Sequence, residues 1–176
     1  MQAGSEKQQV EETRSTMAYK VGDKVFHKSY GLGEVIKVDE KEMGGKTVQY
    51  YVVKVHDLQL WVPVDDSRET SLRDPATRRE LENLKSIFKE QNQPFPNDRF
   101  ERRNRVRECL KDGAPESICR VVRDLTYYGR TNKMNDNDSS MLQHSSQLLL
   151  DEWQYAWSIA PDEAEKELKL LLAPAD

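Results

Sequence analysis

The sequence predicts an α+β chain in which a small, strongly bent β-barrel module precedes an all-α helical bundle. Between Tyr19 and Val64, short runs of β-branched and aromatic residues are separated by turn signals. From Asp74 onward the apolar residues recur three and four apart, the period of helices with one buried face. The 176 residues allow one ordinary domain or two small ones. The change of period predicts a tail over 1–16, a β module over 17–70 and a helical domain over 71–176.

The tail is rich in Glu, Gln, Ser, Lys and Thr, with Val10 as its single large aliphatic residue. So little apolar surface does not offset the entropy of ordering, and a disordered segment is expected. Met17, just before the first patterned run, is a candidate natural start. In the β module, Gly22-Asp23 marks a turn and Val25-Phe26 begin a run. Val35, Ile36 and Val38 supply a second run, and Gly44-Gly45 mark a hairpin turn. VQYYVVKV is the clearest strand. After a turn at His56-Asp57, Leu58, Leu60 and Val62 alternate with Gln59 and Trp61, and Pro63 ends the run or sets it at a sheet edge. Four to five short strands at this spacing suggest an SH3- or Tudor-like barrel. Gly31-Leu32-Gly33 lacks a third glycine, a following helix and a P-loop lysine, so it reads as a tight inter-strand turn rather than a phosphate loop.

In the helical half, Asp74-Pro75 reads as an N-cap followed by a proline in the first turn, with Leu81, Leu84, Ile87 and Phe88 on one face. QNQPFPND breaks that helix. Asn97 or Asp98 can cap a second, over 99–111. Gly113-Ala114-Pro115 resets the chain before a third, whose stripe is Ile118, Val121, Val122 and Leu125. Asp138 and Ser139 are cap candidates for a long helix bearing Met141, Leu142, Leu148, Leu149, Trp153 and Trp157. Pro161 opens a last one with Ala164, Leu168, Leu171 and Leu172.

The formal charge of −4 argues against a nucleic-acid role only while it is read as an average. By block, residues 1–98 carry −2, residues 99–133 carry +5 and residues 134–176 carry −7. A basic island is hidden by an acidic tail. No run of 18 apolar residues exists, so no membrane span or membrane partner is expected. The first residues lack the order of a signal peptide, and a cytoplasmic, nucleoid-associated place is expected. Cys109 and Cys119, ten apart in a helical pattern, read as buried thiols rather than a disulfide framework or a metal site. His27, His56 and His144 are scattered through the sequence, and none belongs to a recognisable metal-ligand or nucleophile motif. No catalytic residue, cofactor or metal is predicted.

Two groups remain. Alternation sends Tyr50 and Tyr51 to opposite faces of their strand, and Trp61 away from Leu60 and Val62. If the latter two are core, Trp61 either forms an interface or is covered by the helical half. Arg99, Arg102, Arg103 and Arg107 fan across one broad helix face, with Arg105 off its edge. Guanidinium groups suit phosphate because they are planar, always charged and bidentate. The alternative is a solvated face partly paired with Glu101 and Glu108. Phe100, inside the cluster, is either a wedge for a base step or a packing residue against Phe95. In Arg123-Asp124, neighbours in sequence do not face each other on a helix, so each is expected to find another partner.

The order of segments resembles the CarD/CdnL family of bacterial transcription regulators. The residues that carry it are Y19-K-V-G-D-K-V, Y30-G-L-G-E-V-I, E40-K-E-M-G-G-K, Q49-Y-Y-V-V-K-V, L60-W-V-P-V and S71-L-R, then F100-E-R-R and V121-V-R-D-L. The likeness runs from about Tyr19 to Leu172. It implies a Tudor-like domain that binds the β subunit of RNA polymerase, with Lys41 and Trp61 at the contact. It also implies a helical domain that touches promoter DNA at the upstream edge of the transcription bubble and favours the open complex. The chain departs from the family at His27-Lys28-Ser29-Tyr30, where Tyr-Pro-x-His is common, and at Phe100, where a wedge tryptophan is usual.

The resulting expectation is a non-enzymatic monomer that binds promoter DNA weakly by itself. Arg99, Arg102, Arg103 and Arg105 would lie on phosphates, Phe100 at the fork, and Lys41 and Trp61 on polymerase. The rival is a polymerase-binding adaptor without a functional DNA contact.

Overall fold

The computed structural model describes residues 18–64 and 71–174. The expected tail, the start at Met17 and the boundary near residue 70 lie outside the described residues. Five strands, β1 (Lys24–His27), β2 (Gly31–Met43), β3 (Lys46–Val55), β4 (Leu58–Pro63) and β5 (Leu72–Arg73), form an antiparallel sheet in the order β4-β3-β2-β1-β5. The sheet is open rather than closed into a barrel. Five helices follow, α1 (Arg78–Leu84), α2 (Arg99–Leu110), α3 (Pro115–Thr131), α4 (Asp136–Trp157) and α5 (Pro161–Leu171), with a 3₁₀ turn at Lys85–Lys89. The fold class is α+β with a Tudor-like β module. The described residues divide into two compact units, one of residues 18–23 and 34–64, the other of residues 24–33 and 71–174.

In the first unit, β2 and β3 form a hairpin closed by Gly44 and Gly45, both at positive φ (58° and 77°), which matches the twist of its strands. The β2–β3 register shifts between Val35 and Lys37, so Ile36 is the extra residue of a bulge and is left exposed. β3 pairs β4 with Tyr51 opposite Val62 and Val52 opposite Trp61. Val35, Tyr51, Val52, Val53, Val55 and Val62 are the buried apolar residues of this unit. The segment before β1 is tied on by Gly22 N–H to Val35 O (2.8 Å) and Val35 N–H to Asp23 O (2.9 Å).

The second unit is built on the predicted stripes. Phe26 of β1, Leu81, Ile87, Phe88, Ile118, Val122, Leu149, Trp153, Ala164 and Leu168 belong to one buried cluster. Trp153 meets Phe88 and Trp157 edge-to-face, at 6.5 and 6.0 Å between ring centroids. Val106, Val121 and Leu125 form a smaller cluster. Gly31 stands at φ +90°, and a Cβ there would lie 3.0 Å from Leu148 Cδ2, so the Gly-Leu-Gly segment serves backbone geometry and close approach.

Three caps differ from expectation or resolve it. α1 is capped by Thr77, not Asp74: Thr77 Oγ1 accepts from Glu80 N–H while Glu80 Oε2 accepts from Thr77 N–H. That reciprocal capping box satisfies two end donors and outcompetes the Asp-Pro start. α4 is capped by Asn135 rather than Asp138 or Ser139, because the Asp138 carboxylate is occupied elsewhere. α2 begins as expected, with Asp98 accepting from the Phe100 and Glu101 amides. The thiols also divide. Cys119 is buried and its pKa is pushed up to about 12 by burial, but Cys109 is exposed, because α2 turns Val106 inward and position 109 outward.

A carboxylate lies inside this unit. Glu152 of α4 is fully buried and accepts from Arg73 Nη1 (2.6 Å), Arg73 Nη2 (2.9 Å) and the Ala76 amide (2.6 Å). Arg73 also donates from Nε to Gly113 O (2.8 Å) and lies 3.8 Å over the Phe26 ring. Removing one partner of such a pair strands the other's charge. Glu152→Ala is therefore expected to lower stability by about 3–5 kcal/mol, read as an earlier midpoint in urea unfolding.

Candidate nucleic-acid and partner interfaces

α2 carries five of the basic residues, and its winding sorts them. The inward line is Arg102, Val106 and Leu110, spaced four apart; Arg102 is 3% exposed. Its Nε and Nη2 meet both oxygens of Asp138 at 3.0 and 2.7 Å, and Nη1 donates to the carbonyls of Pro96 (2.8 Å) and Asn97 (3.1 Å). The guanidinium also lies 4.5 Å over the Tyr128 ring. The bond to Asp138 holds its pKa above the usual value. Arg102 is thus not on the solvent face where the wheel placed it. Its donors are consumed inside the protein, and it positions the helix rather than offering itself to a phosphate.

The outward line is different. Phe100 is 51% exposed and stands between two cations, with the Arg99 guanidinium 4.7 Å and the Arg103 guanidinium 5.5 Å from its ring centroid. Cation–π contact of this kind holds all three side chains in one patch. Arg103 Nε is buried and has no hydrogen-bond partner among the described residues. A cavity of about 320 Å³ is lined by Arg99, Phe100, Arg103, Asn135, Asp136 and Asn137. The last three, at the start of α4, carry no site signal in the sequence, and only the folding of α4 beside α2 brings them here. Asp136 is the one acid in this lining and opposes an incoming phosphate.

Arg105 faces another way. It donates from Nη1 to Pro94 O (2.6 Å) and lies 4.9 Å over Phe95, so it fastens the loop before α2. Phe95 packs edge-to-face on Tyr128 (6.4 Å). The pair at 123–124 also corrects an expectation. Arg123 Nε donates directly to Asp124 Oδ1 (2.8 Å), both being buried, and Arg123 Nη1 reaches the Ile87 carbonyl (3.0 Å). A long guanidinium can bend back to its neighbour when burial leaves it no water.

On the β module, the expected alternation holds over the second half of β4, with Val62 buried, Leu60 half-buried and Trp61 41% exposed, but not at its start, where Leu58 is exposed. Lys41 Nζ sits 3.7 Å from the Trp61 ring centroid, and Tyr50 meets Trp61 edge-to-face at 6.2 Å. Tyr50 Oη donates to Met43 Sδ (3.3 Å), and Met43 is itself exposed. The result is a solvent-facing aromatic patch with a cation on it, on strands ending at β4, the end strand of the sheet. An exposed aromatic of this size fits an interface. Among the described residues no group of three or more His, Cys, Asp or Glu can hold a metal ion, and no helix is long and apolar enough to cross a membrane.

The β module is Tudor-like and carries a solvent-facing aromatic–cation patch, and α2 carries an exposed aromatic flanked by two arginines. The CarD-like/TRCF RID domain model matches residues 19–74 and the CarD C-terminal domain model matches residues 83–169. The chain belongs to the CarD-like family of transcription regulators, whose members are non-enzymatic and interact with RNA polymerase. It is 22% identical over 156 residues, 86% of this chain and 97% of the other, to YdeB of Bacillus subtilis (strain 168), named as a candidate transcription factor.

The two arginines separate by experiment. Arg102→Ala leaves Asp138 buried without its cation and is expected to cost about 3–5 kcal/mol of stability. Arg103→Ala is expected to stay within about 0.5 kcal/mol of wild type. Chemical denaturation of both variants checks this.

Proposed function

We propose that this chain stabilises the open promoter complex by holding the β subunit of RNA polymerase through Lys41 and Trp61 and the upstream edge of the bubble through α2. The observation that supports it most is the half-exposed Phe100 ring between Arg99 and Arg103. An apolar ring flanked by phosphate-binding groups suits insertion at a base step, at an unstacking cost of a few kcal/mol. The two guanidiniums would neutralise the phosphates beside it. Arg102 and Arg105 then support the helix and its leading loop rather than touch DNA.

With a formal charge of −4, the chain should bind free DNA weakly. Attachment to polymerase raises the local concentration of the α2 face, so a weak contact becomes effective. Only a preference for the open over the closed complex shifts that equilibrium, and a ring that needs an unstacked step supplies one. The chain would act as a monomer in the cytoplasm, on the nucleoid.

Asp136 in the lining of the α2 cavity, within the acidic block of residues 134–176, favours a second reading: a polymerase-bound adaptor with no useful DNA contact.

Promoter-opening assays on purified polymerase discriminate. Phe100→Ala is expected to shorten the lifetime of the open complex. Arg99→Ala/Arg103→Ala is expected to do the same and to reduce the salt slope of DNA binding by about 1 per lost phosphate contact. Trp61→Ala is expected to raise the protein concentration needed for half effect. Full activity of the α2 variants beside loss in Trp61→Ala would establish the adaptor instead.

A further inference from the structure

A second cavity, of about 460 Å³, opens in the helical unit at the other end of α2. It is walled by the β1–β2 turn, the last turn of α2 and the middle of α4, three segments remote in sequence. Lys28, Arg107 and Lys111 supply three cations to its lining, against the single carboxylate of Glu108. Lys111 lies 3.9 Å from Glu108, whereas Lys28 and Arg107 have no ion-pair partner among the described residues. Like charges gathered in a concave wall repel one another, and an anion relieves that repulsion.

Lys28 is also held in place. Its stem lies against Gly113, which stands at φ +66°, and a Cβ at that position would come within 2.6 Å of Lys28 Cγ. The glycine therefore leaves the volume that the lysine stem fills. His27 Nδ1 accepts from the Ser29 amide (3.2 Å), which places the proton of the neutral ring on Nε2. Burial, with Lys28 beside it, holds the His27 pKa below the usual imidazole value. The ring thus adds a neutral N–H donor to the lining near pH 7. Leu110 and Leu148 give the same cavity an apolar wall.

We propose that this cavity binds an organic phosphate of nucleotide size, its phosphates on Lys28, Arg107 and Lys111 and its apolar part against Leu110 and Leu148. Three cations less one carboxylate leave two positive charges, which match a phosphate monoester and offset most of the charge of a nucleoside diphosphate. The volume falls in the range of small-molecule pockets, about 300–1,000 Å³. A duplex backbone is the weaker candidate, because it presents phosphates on a convex ridge and nothing apolar to fill a concave wall. None of these residues belongs to the proposed polymerase or DNA contact, so either reading can fail alone.

The test is calorimetric titration of the full chain with ADP, adenosine and inorganic phosphate at physiological salt. ADP is expected to bind one to one, inorganic phosphate more weakly, and adenosine not at all. Lys28→Gln/Arg107→Gln should weaken ADP binding about tenfold or more with an unchanged Tm, whereas Lys166→Gln/Lys169→Gln on α5 should leave it as in wild type. In wild type, ADP should move the backbone amide resonances of Lys28, Ser29, Leu110 and His144, which reads the site even if a variant folds poorly. The proposal is overturned by absence of ADP binding, by equal binding in the Lys28→Gln/Arg107→Gln variant with no shift at those amides, or by shifts confined to other surfaces. Displacement of ADP by a short DNA duplex whose own binding is lost in the same variant would make the cavity part of a nucleic-acid surface instead.

Discussion

Glu152 carries a full charge where no water reaches it, and the helical unit is arranged around satisfying that charge. Desolvating a carboxylate is expensive and is offset only when its oxygens are filled with well-placed donors. Arg73 and the Ala76 amide fill them, and Arg73 in turn holds the Gly113 carbonyl and covers Phe26. The Arg73–Glu152 pair thereby joins β1, the segment before α1, the α2–α3 turn and α4. An apolar pair of the same size could fill the space, but it would not fix which backbone groups meet there. Hydrogen bonds of defined direction do.

A second buried pair repeats the device at the start of α2. Arg102 and Asp138 lock the first turn of α2 to the first turn of α4, and the loop carbonyls of Pro96 and Asn97 close the remaining donors. With position 102 fixed inward, helix geometry puts positions 99, 100 and 103 outward. Phe100 is therefore exposed as a consequence of Arg102 being buried, and the cations beside it need no further support. The same winding places Arg107 and Lys111 at the far end of α2, so one helix presents positive charge at two places. On the β module the corresponding economy is alternation: burying Val62 puts Trp61 outside, where Lys41 rests on it.

Much of this was legible in the sequence, because period and turn chemistry are local. The change from strands to helices, the Gly44-Gly45 hairpin, the Asp98 cap, the apolar stripes of α3 to α5 and the outward Trp61 all follow from residues within a few positions of each other. The misreadings share a cause as well. Helical spacing puts Arg102 with its neighbours because spacing carries no sign of the carboxylate 36 residues away that holds it inside. Asp138 reads as a cap for the same reason, whereas its carboxylate meets Arg102. Thr77-x-x-Glu80 is a stronger local N-cap signal than Asp74-Pro75, and it is the one the structure uses. The Asn135–Asn137 wall of the α2 cavity, and the convergence of Lys28 with Arg107 and Lys111, exist only in three dimensions.

The two faces are built with different tolerances. The Lys41–Trp61 patch spans strands that flank β3 and has no salt bridge among the described residues. The Phe100 patch rests on a buried ion pair, with Arg99 and Arg103 on either side of the ring. The most direct measurement is photo-crosslinking from a benzoylphenylalanine placed at position 100, in complexes assembled with polymerase and promoter DNA. Crosslinks to DNA at the upstream edge of the bubble, dependent on polymerase, are predicted. Crosslinks to protein alone, or to DNA equally well without polymerase, would contradict a tethered α2 face acting at the fork.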